Sequence, residues 1–542
     1  MKILRVILNS ALVALAFCFF LALLIQELNF FLPLNFFDLS QITLFLILSY
    51  GAIILLGSVI TFFLIQFFRG QKIKLAWISP AFLMLGLSLA LLVFVVIFKS
   101  NIDFFRSFYT PENLIRLNHQ QLILIVLSLI GFWCFYLGRR SKNKSIFVYI
   151  YFMLLGMSLG GLFLQQPILK PISSTGTGYF EIKPSARTVT LLGLEGLSFD
   201  FLIPLADEKK LPNFSWLFEE GSWGQLGSFT PNEPFILNKS LITGKLPAKH
   251  LYLSRYKYYL PNLEQPLLVV PRFIFFRQLI RFGLLSPSPL PITSSGNDLW
   301  EIIRLNQGQT LQRDWPYDYK TFLPEEALKS FHRFYPELET ENSFLFSILK
   351  EAFLCDYAFE QKFFKEKSTN SPQLSSLLLY GLNNVEAYYY KFHFPEYFGE
   401  ISQEDINKYQ TVIEKYYQFY DQIIGKYLAA LQDNELLIIY SPHGIEPLSL
   451  WKRVIEWLLG QAELSADHDL APDGVVFFFG KEVARGQNIK RISITDLTPT
   501  ILYFLGLPVA RDMDGIVRSS IFTREFTDEN PIVYISTYEK KK

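Results

Sequence analysis

The chain has 542 residues, of which 51% are hydrophobic, 16% aromatic and only 18% charged, and its mean hydropathy is +0.25. A soluble domain carries about 25% charged residues, so this composition excludes a wholly water-soluble enzyme. Fifty Lys and Arg against 49 Asp and Glu leave a formal charge of +1, which provides no basic field for a nucleic-acid backbone and argues against nucleic acid as a partner. Of the three cysteines, Cys18 and Cys134 lie in apolar runs and Cys355 alone lies in the polar part. Neither a disulfide framework nor a cysteine zinc site can be built from them.

Five apolar runs precede Gln165: Ile3 to Gln26, Ile42 to Phe68, Leu75 to Phe98, Gln121 to Leu137 and Ser145 to Leu164. Each approaches the roughly 20 residues needed to cross a bilayer, which predicts a transmembrane domain of five spans over residues 1–166. The first run is longer than the roughly 7 to 15 residues of a signal-peptide core and no small-x-small cleavage site follows it, so it is expected to be retained. Lys2, Arg5, Arg69, Lys72, Lys74, Arg139, Arg140, Lys142 and Lys144 fall on one side of such a bundle, against Lys99, Arg106 and Arg116 on the other. The excess of positive charge places the N-terminus in the cytoplasm. An odd number of spans then puts the rest of the chain outside the cytoplasmic (inner) membrane, in the periplasmic or extracytoplasmic space. Beyond Arg5 at the start of the first, no charged residue interrupts the runs, so the bundle reads as an anchor rather than an ion pathway.

Residues 167–186, rich in Pro, Gly, Ser and Thr, are expected to form an irregular linker. A globular domain is expected over 187–542. "TVTLLGLEGLSF" reads as a buried strand ending in a Gly-bounded turn, and "LPNFSWLFEEGSW" as a helix closed by Gly221. Further strands are expected at Ser375 to Leu382, Asn434 to Ser441 and Gly474 to Gly480, with helices over Ile406 to Leu431 and Ile494 to Leu505. Alternating strands and helices predict an α/β layered domain with a mostly parallel sheet. Ligands in such sheets bind beyond the carboxyl ends of the strands, which directs attention to the loops after Leu194, Leu382, Ser441 and Gly480.

From Arg187 to Phe526 the ordered blocks "LLGLEGLSFDFLIPL", "LPNFSWLFEEGSWGQL", "SLITGKLPAKH", "LYGLNNVEAYYYKFHFPEYF", "LIIYSPHGIEP", "HDLAPDGVVFFFG" and "DLTPTILYFLGLPVARDMDG" resemble the alkaline phosphatase superfamily, in its type I phosphodiesterase/nucleotide pyrophosphatase branch. The resemblance implies an alkaline-phosphatase-like α/β/α domain behind the five transmembrane helices. It also implies hydrolysis or transfer of phosphate esters by two metal ions, usually zinc, with a Thr or Ser nucleophile.

Carried over residue by residue, the resemblance also implies that most of that chemistry is lost. The first-strand Asp position is Glu195, and the nucleophile position, nine residues before Thr243, is Pro234. The Asp and His of the second block fall on Asn383 and Ala387, and the Asp-His pair before Gly becomes Pro442 and His443. The last His falls on His468. Glu195 and His443 would remain for one metal and His468 for the other, short of the three protein ligands of a catalytic zinc. Glu446, Asp467 and Asp469 stand close in sequence as substitute ligands, Asn384 is one residue from the second block, and Ser228, Thr230 and Ser240 are the nearby hydroxyls.

The expectation is therefore a membrane-anchored pseudoenzyme without a bound cofactor, zinc being the ion a residual site would hold. It would act as an accessory or structural subunit of a membrane complex, with a protein partner, a glycan or a lipid phosphate in the old cleft. The alternative is an active phosphohydrolase or phosphotransferase with a rearranged site. Its five-helix layout resembles that of lipopolysaccharide phosphoethanolamine transferases and lipoteichoic acid synthases in architecture alone. Tyr388, Tyr389, Tyr390, Phe392 and Phe394 read either as a stacking surface or as core packing. Glu414, Tyr416, Tyr417 and Asp421 read as architectural, and the terminal "YEKKK" as a solvated basic tail with a possible contact to a membrane surface.

Overall fold

The computed structural model describes residues 2–539 apart from 70–74, 141–143, 165–184, 273–278, 281, 291–296, 314–324, 339–342, 459–460 and 470. The linker at 167–184 and the terminal lysines Lys540 to Lys542 lie outside the described residues. Contacts divide the chain into two units, Met1–Ile172 with Leu253–Ile292, and Ser173–Tyr252 with Thr293–Lys542.

In the first unit, α1 (Ile3–Leu28), α2 (Phe36–Phe68), α3 (Pro80–Phe104) and α4 (Pro111–Gly138) are long and apolar enough to cross a membrane. The expected count of five becomes four on this criterion among the described residues. The fifth helix, α5 (Lys144–Leu164), is present, but its described apolar stretch is the shorter Ile146–Ser158. The fourth helix also starts earlier than its apolar run, because Pro111 supplies a pre-set first turn. Arg116 is thereby carried into α4, where it pairs with Glu27 at the end of α1. A Cβ on Gly131 of α4 would lie 1.9 Å from Ser88 Oγ and 2.6 Å from Tyr151 Cε2. The missing side chain is what lets α3, α4 and α5 close on one another, the small-residue contact usual between helices in lipid.

The segment Leu253–Ile292, remote in sequence, docks on Asn29, just past the end of α1, and on Asn101 of α3. Asn29 Oδ1 accepts the backbone N–H of Leu268 and of Val269, both at 2.9 Å, and its Nδ2 donates to Val269 O at 2.7 Å. Asn101 Oδ1 accepts from Arg272 N at 2.7 Å, and the Arg272 guanidinium lies 4.0 Å from the ring centre of Phe104.

The second unit holds a seven-stranded sheet of β1 (Thr188–Leu194), β2 (Ser222–Gly227), β3 (Thr310–Arg313), β4 (Leu374–Leu379), β5 (Glu435–His443), β6 (Asp473–Phe479) and β7 (Gln487–Ser493), in the order β7-β2-β6-β5-β1-β4-β3. All neighbours are parallel except at β6, which runs against both β5 and β2. The central strands are apolar on both faces, as a sheet covered on both sides requires. Leu192, Leu194, Leu377, Leu379 and Phe477 enter one core, and Val189, Leu191, Leu374, Leu378 and Phe478 enter the other. Helices that contribute to the first core include α6 (Phe199–Asp207), α7 (Pro212–Glu220), α9 (Phe344–Asn370), α10 (Gly381–His393), α11 (Val412–Ala429) and the shorter Glu325–Phe334 and Gln403–Tyr409. The second core is covered by α8 (Pro234–Thr243) and α13 (Leu497–Phe504), while α12 (Leu450–Leu458) lies between β5 and β6 in the chain.

Two expectations are corrected. The helix foreseen over Ile406 to Leu431 is broken at Gln410 and Thr411. The break lets Tyr409 pack on Tyr389 and Phe392, with ring centres 5.6 and 5.0 Å away, while α11 turns other residues inward. The reversal of β6 puts Gly480 at the edge opposite the carboxyl ends of β1, β4 and β5. Its start, Asp473, pairs with His443 instead.

Asp356 of α9 binds α10 and α11 together. It accepts from Gly381 N at 3.1 Å and from the hydroxyls of Tyr416 and Tyr420, each at 2.8 Å. Burial pushes its carboxyl up to about 7, against these donors, from an ordinary 3.8. The folded state therefore holds this proton more tightly than the unfolded chain. Its contribution to stability is full below about pH 4 and is lost as the pH rises through about 7. Thermal unfolding of Asp356→Asn is expected to lack that downward slope, and Asp356→Ala is expected to cost roughly 3 kcal/mol.

Candidate functional site

Because β1, β4 and β5 are parallel and adjacent, their carboxyl ends deliver Glu195, the start of α10 and the Ser441 to His443 stretch to one edge. The turn after β1 is tight. Gly196 has φ +101°, and a Cβ there would lie 2.7 Å from Glu386 Oε2 and 2.8 Å from Asn383 N, so only glycine fits. Gly196 N donates to Ser441 Oγ at 3.2 Å, and Asn383 N donates to Glu195 O at 3.2 Å. Ser441 Oγ in turn donates to His443 O at 2.7 Å. Backbone groups and the Ser441 hydroxyl thus tie the three strand ends together.

Glu195 is fully buried, and its Oε1 accepts from Asn238 Nδ2 at 2.8 Å. Asn238 lies one turn beyond Pro234, the first residue of α8, and its Oδ1 accepts from Tyr440 OH at 3.1 Å. Burial pushes the Glu195 carboxyl up to about 8, with the Asn238 bond opposing. Its Oε2 has no hydrogen-bond partner among the described residues, nor has Oε2 of Glu386. The Tyr417 hydroxyl stands 3.2 Å from Glu386 Oε1 and 3.2 Å from Gly196 O, and burial holds the Glu386 carboxyl well above the ordinary range.

His443 is also fully buried. Its Nδ1 lies 2.9 Å from Gly444 O, and since a carbonyl can only accept, Nδ1 carries the proton and Nε2 is left without a partner. Burial, and then the neighbouring His468, pull its pKa down to about 3, so the ring is neutral. The two imidazoles stack with centres 4.9 Å apart and planes 29° apart. His468 is held by Asn232, whose Nδ2 donates to its carbonyl at 2.9 Å. Asp467, His468 and Asp469 offer ligand atoms within 4.8 Å of one another, a grouping able to hold a metal ion. Lys452 of α12 already reaches both carboxylates, with Nζ 2.7 Å from Asp469 Oδ2 and bonded to Asp467 Oδ2.

Of the residues singled out in the sequence, Glu195, Asn383, His443 and His468 therefore meet at one edge. Ala387 joins them through its carbonyl, which accepts from Ser465 N at 2.7 Å and Ser465 Oγ at 3.0 Å, two residues before Asp467. Pro442 lies within β5 beside His443, and Glu446 bridges to Asp467 in a two-stranded ribbon. Ser240 is committed elsewhere, 2.9 Å from His250 Nε2. Ser228 donates its backbone N–H to Asp473 Oδ1 at 3.1 Å.

The aromatic run of α10 is packing: Tyr389, Tyr390 and Phe392 are buried in the first core. Asp421 accepts from the N–H groups of Asn213 and Phe214 at the start of α7, an architectural role. Glu539 of the terminal stretch pairs with Lys245 at 2.7 Å. Sequence reasoning missed Glu386 and Lys452. Glu386 stood three residues after Asn383, which on a helix is the same face. Lys452, 15 residues before Asp467, gave no such signal.

The chain matches no family profile and no curated protein. Among solved structures it is similar to human ectonucleotide pyrophosphatase/phosphodiesterase 5, with 12% identity over 61% of this chain and 97% of that one and a TM-score of 0.35. It is similar also to the murine protein of that name, in an inactive form in complex with AMP, with 11% identity over 59% of this chain and 95% of that one and a TM-score of 0.34.

Replacing Asn238 by Ala removes the donor to Glu195 and leaves both carboxyl oxygens buried without partners. The expected cost is about 2 kcal/mol, read as a lower midpoint in thermal unfolding, and Glu195→Leu in the same chain is expected to recover part of it.

Proposed function

We propose that this chain is a membrane-anchored, phosphodiesterase-like pseudoenzyme, whose cleft binds or braces a partner outside the cytoplasmic membrane rather than hydrolysing phosphate esters. The observation that carries the reading is Lys452, whose ammonium spans Asp467 and Asp469 on either side of His468. The cluster able to take a metal ion thus has an internal cation already. The remaining donors do not fit a pair of catalytic zincs. Glu195 and His443 make two ligands at one position and His468 makes one at the other, where three are the norm. Pro234 offers no nucleophilic atom at the head of α8. The fold persists without the chemistry because hydrogen bonds such as Gly196 to Ser441 depend on backbone and small side chains. The partner this reading favours is a protein of the same membrane, a glycan or a lipid-linked phosphate.

A second reading, an active phosphohydrolase or phosphotransferase with substituted ligands, is favoured by one observation, the buried and unpartnered Nε2 of His443. Elemental analysis of protein purified without chelators, with an assay on bis-p-nitrophenyl phosphate, separates the two. The first expects less than about a tenth of an equivalent of metal and no turnover, and a rise in bound metal in Lys452→Ala, which frees two carboxylates. One or two equivalents with turnover lost in His443→Ala would establish the second.

The extracytoplasmic placement is likewise proposed. The 21 residues of α5 extend about 31 Å, enough for a fifth crossing. The segment Leu253–Ile292 meets Asn29 and Asn101 near the carboxyl ends of α1 and α3. With the N-terminus cytoplasmic, both ends are on the far side, and the segment is continuous in sequence with the globular unit. A cysteine placed at Lys481, whose side chain is 65% exposed, is expected to react with a membrane-impermeant maleimide in intact spheroplasts. Reaction only after permeabilisation would refute the placement.

A further inference from the structure

Helix α12 is turned inside out. Its charged side chains face the body of the unit: Lys452 reaches Asp467 and Asp469, the Arg453 guanidinium lies 5.0 Å from the ring centre of Phe398, and Glu456 is 3% exposed. Four of its apolar side chains face away, Leu450 at 67%, Trp451 at 79%, Val454 at 42% and Trp457 at 65% exposure. These positions share one helical stripe. A surface helix ordinarily shows water its charges and the core its apolar stripe, and a patch of this size on a protein surface marks something that covers it.

The chain itself indicates the cover. Four of its helices are long and apolar enough to cross a membrane, so a bilayer is tethered within reach of the globular unit at high effective concentration. Two of the outward residues are tryptophans, the side chain best suited to headgroup depth, with an apolar ring and a wet N–H. None of the four outward residues is acidic, so nothing on the stripe repels an anionic lipid surface. We propose that the outward stripe of α12 lies in the headgroup region of the bilayer in which the chain is anchored. Lys452 on the same helix holds the two carboxylates beside His468, so the lipid contact and the cleft share one rigid element. A lipid-borne ligand would be presented to the cleft along it. The docking does not depend on whether the cleft binds metal.

The test uses the full chain reconstituted in vesicles of phosphatidylcholine and phosphatidylglycerol, and a second set whose acyl chains carry bromine near the headgroups. The emission difference between the parent and a Trp451→Phe, Trp457→Phe double variant isolates these two of the eight tryptophans. Both are exposed, so the change to Phe leaves the fold intact. The proposal expects brominated lipid to lower that difference emission about twofold or more, as for a helix seated several Å into the interface. A difference emission untouched by bromine and quenched by aqueous iodide would overturn it. Shielding from both that grows with the protein-to-lipid ratio would also overturn it, in favour of a second copy of the chain.

Discussion

The globular unit depends on the burial of β1 on both of its faces. Six of its seven residues are buried, and neighbours on either side fill the ladder. A polar group has a place along such a strand only if it is paired, as Thr190 is with Ser375 and Glu435, since an unpaired one in the core costs more than a bond gains. Chemistry is confined to the point where the strand ends, and Glu195 occupies that point. The parallel strands β4 and β5 then end beside it by the geometry of the sheet, so one constraint on the core fixes where any site must be.

The same constraint explains how the cleft keeps its shape with so few reactive groups. The left-handed turn at Gly196 and the backbone bonds from Gly196 and Asn383 are indifferent to ligand identity. The side chains projecting from that frame include few reactive groups: an amide at Asn383, a methyl at Ala387, a ring without a donor at Pro442. Lys452 shows how charge is rebalanced. Two carboxylates close together repel each other by several kcal/mol unless something cationic stands between them, and an ammonium delivered from α12 does so from within the chain.

Much of this was legible in the sequence because it rests on local patterns. The buried strands at Thr188, Leu374 and Glu435 announce themselves as apolar runs bounded by turns, and the blocks that carry Glu195, Asn383, His443 and His468 stand in readable order. The direction of β6 was not legible, since an apolar run reads the same whichever way it is laid into a sheet. The bond between Asn29 and Val269 joins residues 240 apart, and no periodicity reports it. Lys452 escaped for a similar reason: its role arises only when α12 is folded back over the ribbon at Asp467. Glu386 escaped by habit rather than necessity, being hidden within a helix of aromatic residues.

The excursion Leu253–Ile292 bears on how the molecule can be taken apart. Its buried side chains include Leu260, Leu263, Leu267, Val269 and Leu285, and by contacts it belongs with the membrane helices although it interrupts the globular unit in sequence. A fragment begun at Arg187 would therefore carry an apolar strap whose seat had been cut away, and such exposed surface promotes aggregation. Ribosomal synthesis meets the same geometry in time. The strands β1 and β2 emerge well before β4 and β5, so the sheet stays incomplete until long after the strap has been made. The early strands pass that interval without the partners that flank β1 in the finished sheet.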